Sequence, residues 1–223
     1  MALRNEGFSI RRNVVDPGLL EELRKEADRV ATEAESVCVR HLRSRSPVFR
    51  RFATHGAMLS LLPSGLLPVR SILFDKCAEA NWPVAWHRDL TIALQEELSV
   101  AGYGPWSVKE AVPHVQPPRD LLAGMWTLRL HLDDTPSTNG ALKVLPGSHQ
   151  WPIDEVASAS DLKEKAVTCC CRAGDVLIMS PLLLHASGRS EKPARRRVLH
   201  FEYADPGVLD PPLRWYELPG VLF

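Results

Sequence analysis

The chain has 223 residues, of which 45% are hydrophobic and 24% are charged, a composition typical of a globular protein with a substantial core. Its 27 basic and 27 acidic residues give a net charge of zero, so no basic excess favours nucleic acid or an anionic membrane surface as a partner. No apolar run reaches transmembrane length, and residues 1–6 lack the apolar stretch of a signal peptide.

The cysteines indicate the cellular compartment. Five cysteines is an odd number, and three of them are consecutive at positions 169–171, which does not suggest a disulfide framework. A reducing compartment is therefore favoured, and we predict a cytoplasmic protein. The length fits one large domain or two small ones.

The N-terminal third is predicted to combine a strand with helices. Residues 7–12 have the composition of a short strand, and Asp16-Pro17 is a typical helix start, with an acidic N-cap and a proline in the first turn. Apolar residues recur at helical spacing over 17–36, which predicts an amphipathic helix. A further helix is expected around 52–62, and the basic residues at 40–45 are interpreted as a solvated face or mobile loop.

The residues that suggest chemistry begin with His87-x-Asp89, which follows a predicted strand over 69–76. We expect both residues on one strand that continues through Leu94, and residues two apart on a strand point to the same face. Such a pair is two thirds of the 2-His-1-carboxylate triad of non-haem Fe(II) oxygenases. Alone it is a weak signal, because His-x-Asp arises often by chance, and it needs a third ligand and a cosubstrate anchor.

The remainder of the chain indicates a strand-rich fold. Residues 95–120 are rich in Gly and Pro and are predicted to form a long loop rather than a regular element. Further strands are predicted over 125–133, 141–145, 167–171, 176–179, 182–186 and 195–203. Many short strands with turn signals favour a β-sandwich or barrel with helices at the N-terminal side.

His185 is a candidate third metal ligand at the end of a predicted apolar strand, where antiparallel pairing would bring it beside His87. The alternative is a hydrogen-bonded core histidine. Shortly after it, an inward arginine would offer a fork of donors to a carboxylate. Arg196 shares one strand face with His200, whereas its two neighbours share the other, and the residues alone leave open which face is inward.

Together these residues resemble the phytanoyl-CoA dioxygenase family of Fe(II)- and 2-oxoglutarate-dependent oxygenases. The order and spacing of the similar segments match over nearly the whole chain. The segments are Gly7-Phe8, Val15-Asp16-Pro17, Trp86-His87-Arg88-Asp89-Leu90, Leu132-Asp133-Asp134, Asn139-Gly140-Ala141-Leu142, Pro146-Gly147-Ser148-His149, Gly174-Asp175-Val176, His185-Ala186-Ser187-Gly188 and Arg196-Arg197-Val198.

The resemblance implies a mainly β fold with flanking helices, built as a single domain over 1–223 around a double-stranded β-helix, or jelly roll. It implies that Fe(II) is held by three ligands and that 2-oxoglutarate is bound near them. The implied iron ligands are His87, Asp89 and His185, and the implied 2-oxoglutarate-binding residues are Arg196, Lys76 and Arg129.

The reaction that the resemblance implies is hydroxylation of a small-molecule substrate with O2, with release of succinate and CO2. Related halogenases lack the carboxylate ligand, so Asp89 favours hydroxylation, or desaturation or ring chemistry. Candidate substrate contacts are Trp86, Gln95 and His131, although Trp86 fits an apolar core equally well. The oligomeric state is not predicted.

Two alternatives remain open. The first is a hydrolytic or isomerising enzyme with Zn or Mn at the same three ligands, for which the arginine would be incidental. The second is a non-enzymatic metal-binding module on the same jelly roll. The complete ligand set and the arginine favour the oxygenase over both.

Overall fold

The computed structural model of the chain describes residues 2–192 and 194–218, which form a mainly β structure with short helices. The strands are β1 (Phe8–Arg11), β2 (Cys38–Arg40), β3 (Leu67–Lys76), β4 (Val84–His87), β5 (Ile92–Ala93), β6 (Trp106–Lys109), β7 (Val112–Val115), β8 (Trp126–His131), β9 (Leu142–Val144), β10 (Val167–Cys169), β11 (Val176–Met179), β12 (His185–Ser187) and β13 (Arg196–Ala204). The helices are α1 (Ala2–Glu6), α2 (Pro17–Ala34), α3 (Leu42–Arg45), α4 (Pro47–Ala53), α5 (Gly56–Leu59), α6 (Arg119–Ala123) and α7 (Ala159–Glu164).

Two antiparallel sheets form the body of the fold. The major sheet has six strands in the order β1-β11-β8-β13-β3-β2, and the minor sheet has four in the order β10-β9-β12-β4. Side chains from both sheets line one cavity, so the sheets face each other as the two walls of a jelly roll. This is the mainly β fold with flanking helices that the sequence predicted.

Helix α2 covers the outer face of the major sheet. The carboxylate of Asp16 accepts hydrogen bonds from the backbone N–H groups of Gly18 and Leu19, and Pro17 opens the helix, as the sequence predicted. The buried residues of this layer include Leu20, Leu23, Ala27 and Val30 of the helix and Leu73, Leu128, Ile178, Leu199 and Phe201 of the sheet. Because successive strand residues point to opposite faces, the neighbours of these sheet residues point into the jelly roll. None of the helices that the structure describes is long and apolar enough to cross a membrane.

The predicted helix around residues 52–62 is wrong in its boundaries. Two short helices occupy this region, because Ser46 and Pro47 start α4 with the same N-cap and proline pattern that starts α2. Helix α4 ends at Ala53, and the imidazole Nδ1 of His55 then caps α5 by accepting a hydrogen bond from its first turn.

The interpretation of residues 40–45 as a solvated face or mobile loop is wrong for its inner members. His41 is 5% exposed, and its Nδ1 lies 3.3 Å from Oε1 of Glu217. Arg43 donates hydrogen bonds to the backbone carbonyl oxygens of Pro68 and Glu217. No local pattern predicts this burial, because Glu217 lies 176 positions after His41 in the chain.

Strands β6 and β7 of a small three-stranded sheet, β5-β7-β6, interrupt the long loop predicted over residues 95–120. Strands β6 and β7 form a hairpin in which Lys109 pairs with Val112. The turn residues Glu110 and Ala111 have left-handed backbone conformations, with φ of 49° and 62°. Two-residue turns of this kind usually contain Asn-Gly, so the hairpin lacks the residues that would have predicted it.

Candidate active site

A cavity of about 360 Å³ runs between the major and minor sheets. Alternate residues of two paired strands line it, and these are Arg70, Ile72, Phe74 and Lys76 of β3 and Arg196, Val198, His200 and Glu202 of β13. Arg196 lies opposite Lys76 at one end, here called the Arg196 end, and Glu202 lies opposite Arg70 at the other, here called the Arg70 end. The extended strand from Arg196 to Glu202 separates the two ends by about 20 Å.

The imidazoles of His87 and His185 come from neighbouring strands of the minor sheet. Strands β4 and β12 pair so that His87 lies opposite His185, and the ring centres are 4.2 Å apart. Asp89 lies just past the end of β4, where its backbone N–H donates to the carbonyl oxygen of Pro181 at 2.9 Å. Its Oδ1 lies 3.7 Å from Nε2 of His87, and its Oδ2 lies 3.6 Å from Nε2 of His185. The minor sheet and the turn after β4 thus gather all three candidate metal ligands.

Two details of the predicted strands differ here. The strand expected to run from His87 through Leu94 ends at His87, and Ile92–Ala93 belong to the small sheet. The chain turns after β4 because Arg88 donates to backbone carbonyl oxygens outside the minor sheet. His185 opens β12 instead of ending a strand. The three side chains therefore meet through strand pairing and a turn, not through alternation along one strand.

Both imidazoles offer the same nitrogen to the centre of the cluster. Nδ1 of His87 lies 2.8 Å from the carbonyl oxygen of Ala85, and Nδ1 of His185 lies 2.9 Å from that of Leu183. A carbonyl oxygen only accepts hydrogen bonds, so each Nδ1 carries a proton, and Nε2 is the nitrogen that has the lone pair in the neutral ring. This arrangement is typical of histidines that bind a metal ion.

One carboxylate oxygen of the half-buried Asp89 has no hydrogen-bond partner among the described residues. Its Oδ2 is buried and accepts no hydrogen bond from the residues that the structure describes. Burial opposes ionisation of Asp89, but the nearby His185 and His200 outweigh burial and lower its pKa. Burial lowers the pKa of His185 to about 4, so an ionised carboxylate faces a neutral imidazole at neutral pH.

These protonation states fit a divalent metal ion. Ligands must be deprotonated before they bind a metal, as the carboxylate of Asp89 and Nε2 of His185 are here. The ligand atoms of His87, Asp89 and His185 all lie within 4.8 Å of one another. Two imidazoles and one carboxylate form the donor set that suits Fe(II) and leaves further coordination positions open.

Neutral groups hold Arg196 and Lys76 at the Arg196 end. NH1 of Arg196 donates to the backbone carbonyl oxygen of Gly140. Nζ of Lys76 donates to the carbonyl oxygen of Trp82 at 2.7 Å and to the hydroxyl of Ser187 at 3.1 Å. Gly140 has φ of 62°, and a Cβ there would lie 2.8 Å from a backbone oxygen, so glycine is needed where this carbonyl meets Arg196.

Arg129 completes a group of three cations at this end, none of which forms an ion pair within the described residues. NH1 of Arg129 lies 2.8 Å from Nδ1 of His200. Burial, with the charges of Arg196 and Arg129, lowers the pKa of Lys76 to about 8, and burial with Arg129 lowers that of Arg196 to about 10. The three positive charges repel one another in a desolvated space, so an anion bound among them would be stabilised by all three.

The structure distinguishes the three consecutive arginines. Arg196 lines the cavity, whereas Arg195 and Arg197 lie on the outer face and pair with Asp75 at 2.7 Å and Asp133 at 2.8 Å. The inward arginine is therefore the one to which the family resemblance assigns 2-oxoglutarate.

The candidate substrate contacts do not come together. Trp86 lines a separate cavity of about 210 Å³, which also touches His87. Gln95 is exposed and donates to a backbone carbonyl oxygen at 3.2 Å. His131 is buried, with its Nδ1 2.9 Å from the hydroxyl of Thr135. Neither Gln95 nor His131 lines the cavity between the sheets, so their positions do not support a role in substrate contact.

Charged residues at the Arg70 end belong to no motif that the sequence shows. They are Arg40, Arg70, Lys109 and Glu202. Arg70 and Glu202 are separated from Lys76 and Arg196 by an even number of strand positions, so alternation places them on the cavity face. Lys109 carries no such signal, because it reaches the cavity from the unpredicted hairpin.

Sequence comparison connects the chain to one family. Residues 3–198 match the family described as Phytanoyl-CoA dioxygenase (PhyH). The peroxisomal phytanoyl-CoA dioxygenase of Bos taurus is 27% identical over 103 residues, which are 40% of this chain and 30% of that protein. The match therefore spans less than a third of the length of that relative.

Solved structures share the fold. The epimerase SnoN, in complex with Fe3+, alpha ketoglutarate and nogalamycin RO, has a TM-score of 0.72 at 22% identity, covering 92% of this chain and 81% of its own. AviO1 from Streptomyces viridochromogenes Tue57 has a TM-score of 0.69 at 23% identity, covering 95% of each chain. HygX from Streptomyces hygroscopicus, with nickel and 2-oxoglutarate bound, has a TM-score of 0.64 at 19% identity, covering 91% of this chain and 83% of its own. At these identities the likeness establishes the fold, and the predicted jelly roll is confirmed.

Proposed function

This chain belongs to the phytanoyl-CoA dioxygenase family, and we propose that it is an Fe(II)- and 2-oxoglutarate-dependent dioxygenase that oxidises a small molecule. One observation carries the proposal. In a single cavity, the cluster of His87, Asp89 and His185 lies beside three cations that have no acidic partner among the described residues. The SnoN structure, which has the same fold, contains both iron and alpha ketoglutarate and so supports the choice of cofactors.

His87, Asp89 and His185 would hold the iron. Each imidazole offers its Nε2, and Oδ2 of Asp89 would gain a partner where no described residue donates a hydrogen bond to it. Three protein ligands leave positions for the cosubstrate and for O2. Bound iron would supply the oxidative chemistry that converts 2-oxoglutarate and O2 to succinate and CO2 and transfers oxygen to the substrate.

Arg196 would bind the carboxylate of 2-oxoglutarate that lies farther from the metal. Its guanidinium offers parallel N–H donors that match a carboxylate, and Lys76 lies opposite it on β3. The cavity walls also carry the apolar side chains of Phe74, Val84, Leu142 and Val198. These side chains exclude water, which strengthens the attraction between the cations and the bound carboxylate.

A small-molecule substrate suits the size of the cavity. A volume of about 360 Å³ lies within the range of sites that bind small molecules, and it must also accommodate 2-oxoglutarate. SnoN was crystallised with nogalamycin RO, a small molecule, on the same fold. We infer that hydroxylation is the reaction, with desaturation or ring chemistry as variants that the same ligand set permits.

The direct test is an anaerobic titration of the metal-free protein with Fe(II) and then 2-oxoglutarate, followed by visible absorption. We expect a weak charge-transfer band that requires both additions in the wild type and is absent from His185→Ala. His114→Asn is the matched control, because Nδ1 of this buried histidine also lies near the carbonyl oxygen two residues earlier, at 3.0 Å, yet His114 does not line the cavity. The control should keep the band.

Other outcomes would redirect the proposal. If iron binds but 2-oxoglutarate produces no band, the cosubstrate is wrong, and a hydrolytic or isomerising metal enzyme becomes the better interpretation. If the band appears, release of succinate in the presence of candidate small molecules identifies the substrate.

A further inference from the structure

The cavity between the sheets carries an excess of positive charge that would remain after iron and 2-oxoglutarate had bound. Its lining contains the cations Arg40, Arg70, Lys76, Arg88, Lys109, Arg129 and Arg196 and the carboxylates Asp89 and Glu202. A divalent metal ion and the dianion of 2-oxoglutarate cancel each other, so the positive excess remains when both are bound. Buried charges of one sign are unfavourable unless a partner supplies the opposite sign.

Part of this excess lies at the Arg70 end. Glu202 accepts a hydrogen bond from NH1 of Arg70 at 3.0 Å, and Glu110 accepts one from NH1 of Arg40 at 2.7 Å, so each arginine has one acidic partner. Lys109 forms no ion pair with any residue that the structure describes, and its Nζ donates to a threonine hydroxyl at 3.2 Å. The positive charge of Lys109 is therefore not neutralised.

Two of these three cations also have donors that no described residue accepts from. The Nε–H groups of Arg40 and Arg70 are buried and donate to no acceptor in the described parts of the chain. Burial and the charges of Arg70 and Arg40 lower the pKa of Lys109, so the three cations lie close enough to repel one another. Three cations around one space, with unused donors, have the chemistry of an anion site.

We propose that the Arg70 end binds an anionic group of the substrate, a carboxylate or a phosphate, through Lys109, Arg70 and Arg40. This inference rests on the proposed function, because only a reaction at the metal makes the bound molecule a substrate. The site lies beside the metal cluster, since ligand atoms of Glu202 and Asp89 lie within 4.8 Å of each other and Glu202 contacts Arg70. The anion would hold the substrate on the side of the metal opposite to 2-oxoglutarate.

The first experiment measures binding of three probes to the metal-free protein by calorimetry. Benzoate and phenyl phosphate carry the two kinds of anion on the same ring, and benzyl alcohol is the neutral control. The variants are Lys109→Met, which removes the unpaired cation, and Arg196→Leu, which removes the cation at the other end. Lys163→Met is the matched control, because Lys163 is exposed on α7 and the change in net charge is the same.

We expect one of the two anions to bind the wild type, Lys163→Met and Arg196→Leu, and to bind Lys109→Met at least about tenfold more weakly. Benzyl alcohol should bind none of them measurably. Stronger binding of benzoate indicates a carboxylate substrate, and stronger binding of phenyl phosphate indicates a phosphate. Equal binding to wild type and Lys109→Met, loss of binding in Arg196→Leu alone, or no binding of either anion would each overturn the proposal.

A second experiment separates this site from the proposed function. With Fe(II) and 2-oxoglutarate bound anaerobically, the anion should shift the charge-transfer band of the wild type and leave that of Lys109→Met unchanged. If the protein shows no charge-transfer band but still binds the anion in a way that depends on Lys109, the anion site stands and the oxygenase proposal is wrong. If the band appears but no anion binding depends on Lys109, the oxygenase proposal stands and the anion site is wrong.

Discussion

Three consecutive arginines at the start of β13 lie on the two faces of the major sheet, and the two faces treat them differently. On the outer face, Arg195 pairs with Asp75 at 2.7 Å and Arg197 pairs with Asp133 at 2.8 Å. Hydrogen bonds to these carboxylates raise the pKa of both arginines. On the inner face, Arg196 donates to a backbone carbonyl oxygen. Its burial and the charge of Arg129 lower its pKa to about 10.

This difference separates charges that stabilise the fold from charges that remain available to a ligand. An ion pair on the outer face neutralises both of its members within the protein. Arg196 instead buries a charge that has no acidic partner in the described part of the chain, which is unfavourable for folding. Unpaired charges that line a cavity are typical of binding sites, and the half-buried Lys109, which has no acidic partner among the described residues, lines the other end of the same cavity.

The largest effect is expected from Arg196→Leu, which removes the inner charge. 2-Oxoglutarate would lose a charge-assisted contact in a low-dielectric site, so we expect its affinity to fall about 100-fold, or about 2.7 kcal/mol. The free energy of unfolding should stay the same or rise, because leucine removes a buried charge. Anaerobic titration of the Fe(II)-loaded protein and urea denaturation measure these two quantities. Loss of stability with unchanged affinity would show that Arg196 is structural.

Replacing the outer arginine, Arg197→Met, should give the opposite result. The Arg197 side chain is 9% exposed and pairs with both Asp133 and Asp28, so its removal weakens two contacts. We expect the free energy of unfolding to fall by about 2 kcal/mol while the affinity for 2-oxoglutarate is unchanged. Urea denaturation and the anaerobic titration give both values. A fall in affinity would contradict the separation of the two faces.

The stability difference between wild type and Arg197→Met should depend on pH. Burial opposes ionisation of Asp133, but hydrogen bonds from Arg197 outweigh burial and keep its pKa below the ordinary value. A carboxylate with a lowered pKa contributes stability above its unfolded pKa, and this contribution is lost as the pH falls. The difference should therefore shrink below about pH 4.

Strand alternation alone predicted that Arg196 and its two neighbours occupy opposite faces. The sequence did not reveal which of the two faces points into the cavity, because the acidic partners Asp28, Asp75 and Asp133 are far from the arginines in sequence. Only the folded sheet brings these carboxylates to one surface. The family resemblance supplied the missing direction, since it assigns a carboxylate-binding role to Arg196.

Long elements were predicted better than short ones for a physical reason. Helix α2 and strands β3 and β13 contain enough residues for their periodicity to appear in the sequence. The three residues of β12 are too few to show a period, so the position of His185 within its strand was wrong. Asp89 reaches the cluster through a turn and Lys109 through a hairpin without Asn-Gly, and neither is encoded in a pattern of alternation.

A smaller effect is expected at His131, which follows Arg129 on the same face of β8 but, unlike arginine, can lose its charge. Burial, with the charges of Arg129 and Arg196, lowers the pKa of His131 to about 3. The imidazole is therefore neutral in the folded protein but binds a proton near pH 6.5 in the unfolded chain. Because the unfolded chain then holds the extra proton, the free energy of unfolding should fall as the pH decreases below about 6.5.

The variant His131→Asn isolates this contribution. Between pH 6.5 and 5, the fall in the free energy of unfolding should be smaller than in the wild type by about 1.5 kcal/mol. Urea denaturation of the metal-free proteins at both pH values measures the difference. The same fall in both proteins would mean that His131 takes up its proton equally in the folded state, in conflict with its burial beside two arginines.

The smallest effect is expected from Asp28→Asn at the exposed end of the outer network. The Asp28 side chain is 47% exposed and pairs with Arg195 at 2.7 Å and Arg197 at 2.8 Å. Each arginine keeps its less exposed partner, Asp75 or Asp133, and exposed ion pairs are screened by water and salt. We therefore expect the free energy of unfolding to fall by less than about 1 kcal/mol, and the difference to vanish in about 1 M NaCl. A loss as large as that of Arg197→Met would mean that Asp28 holds both arginines, and burial of the acid would no longer explain the strength of the outer pairs.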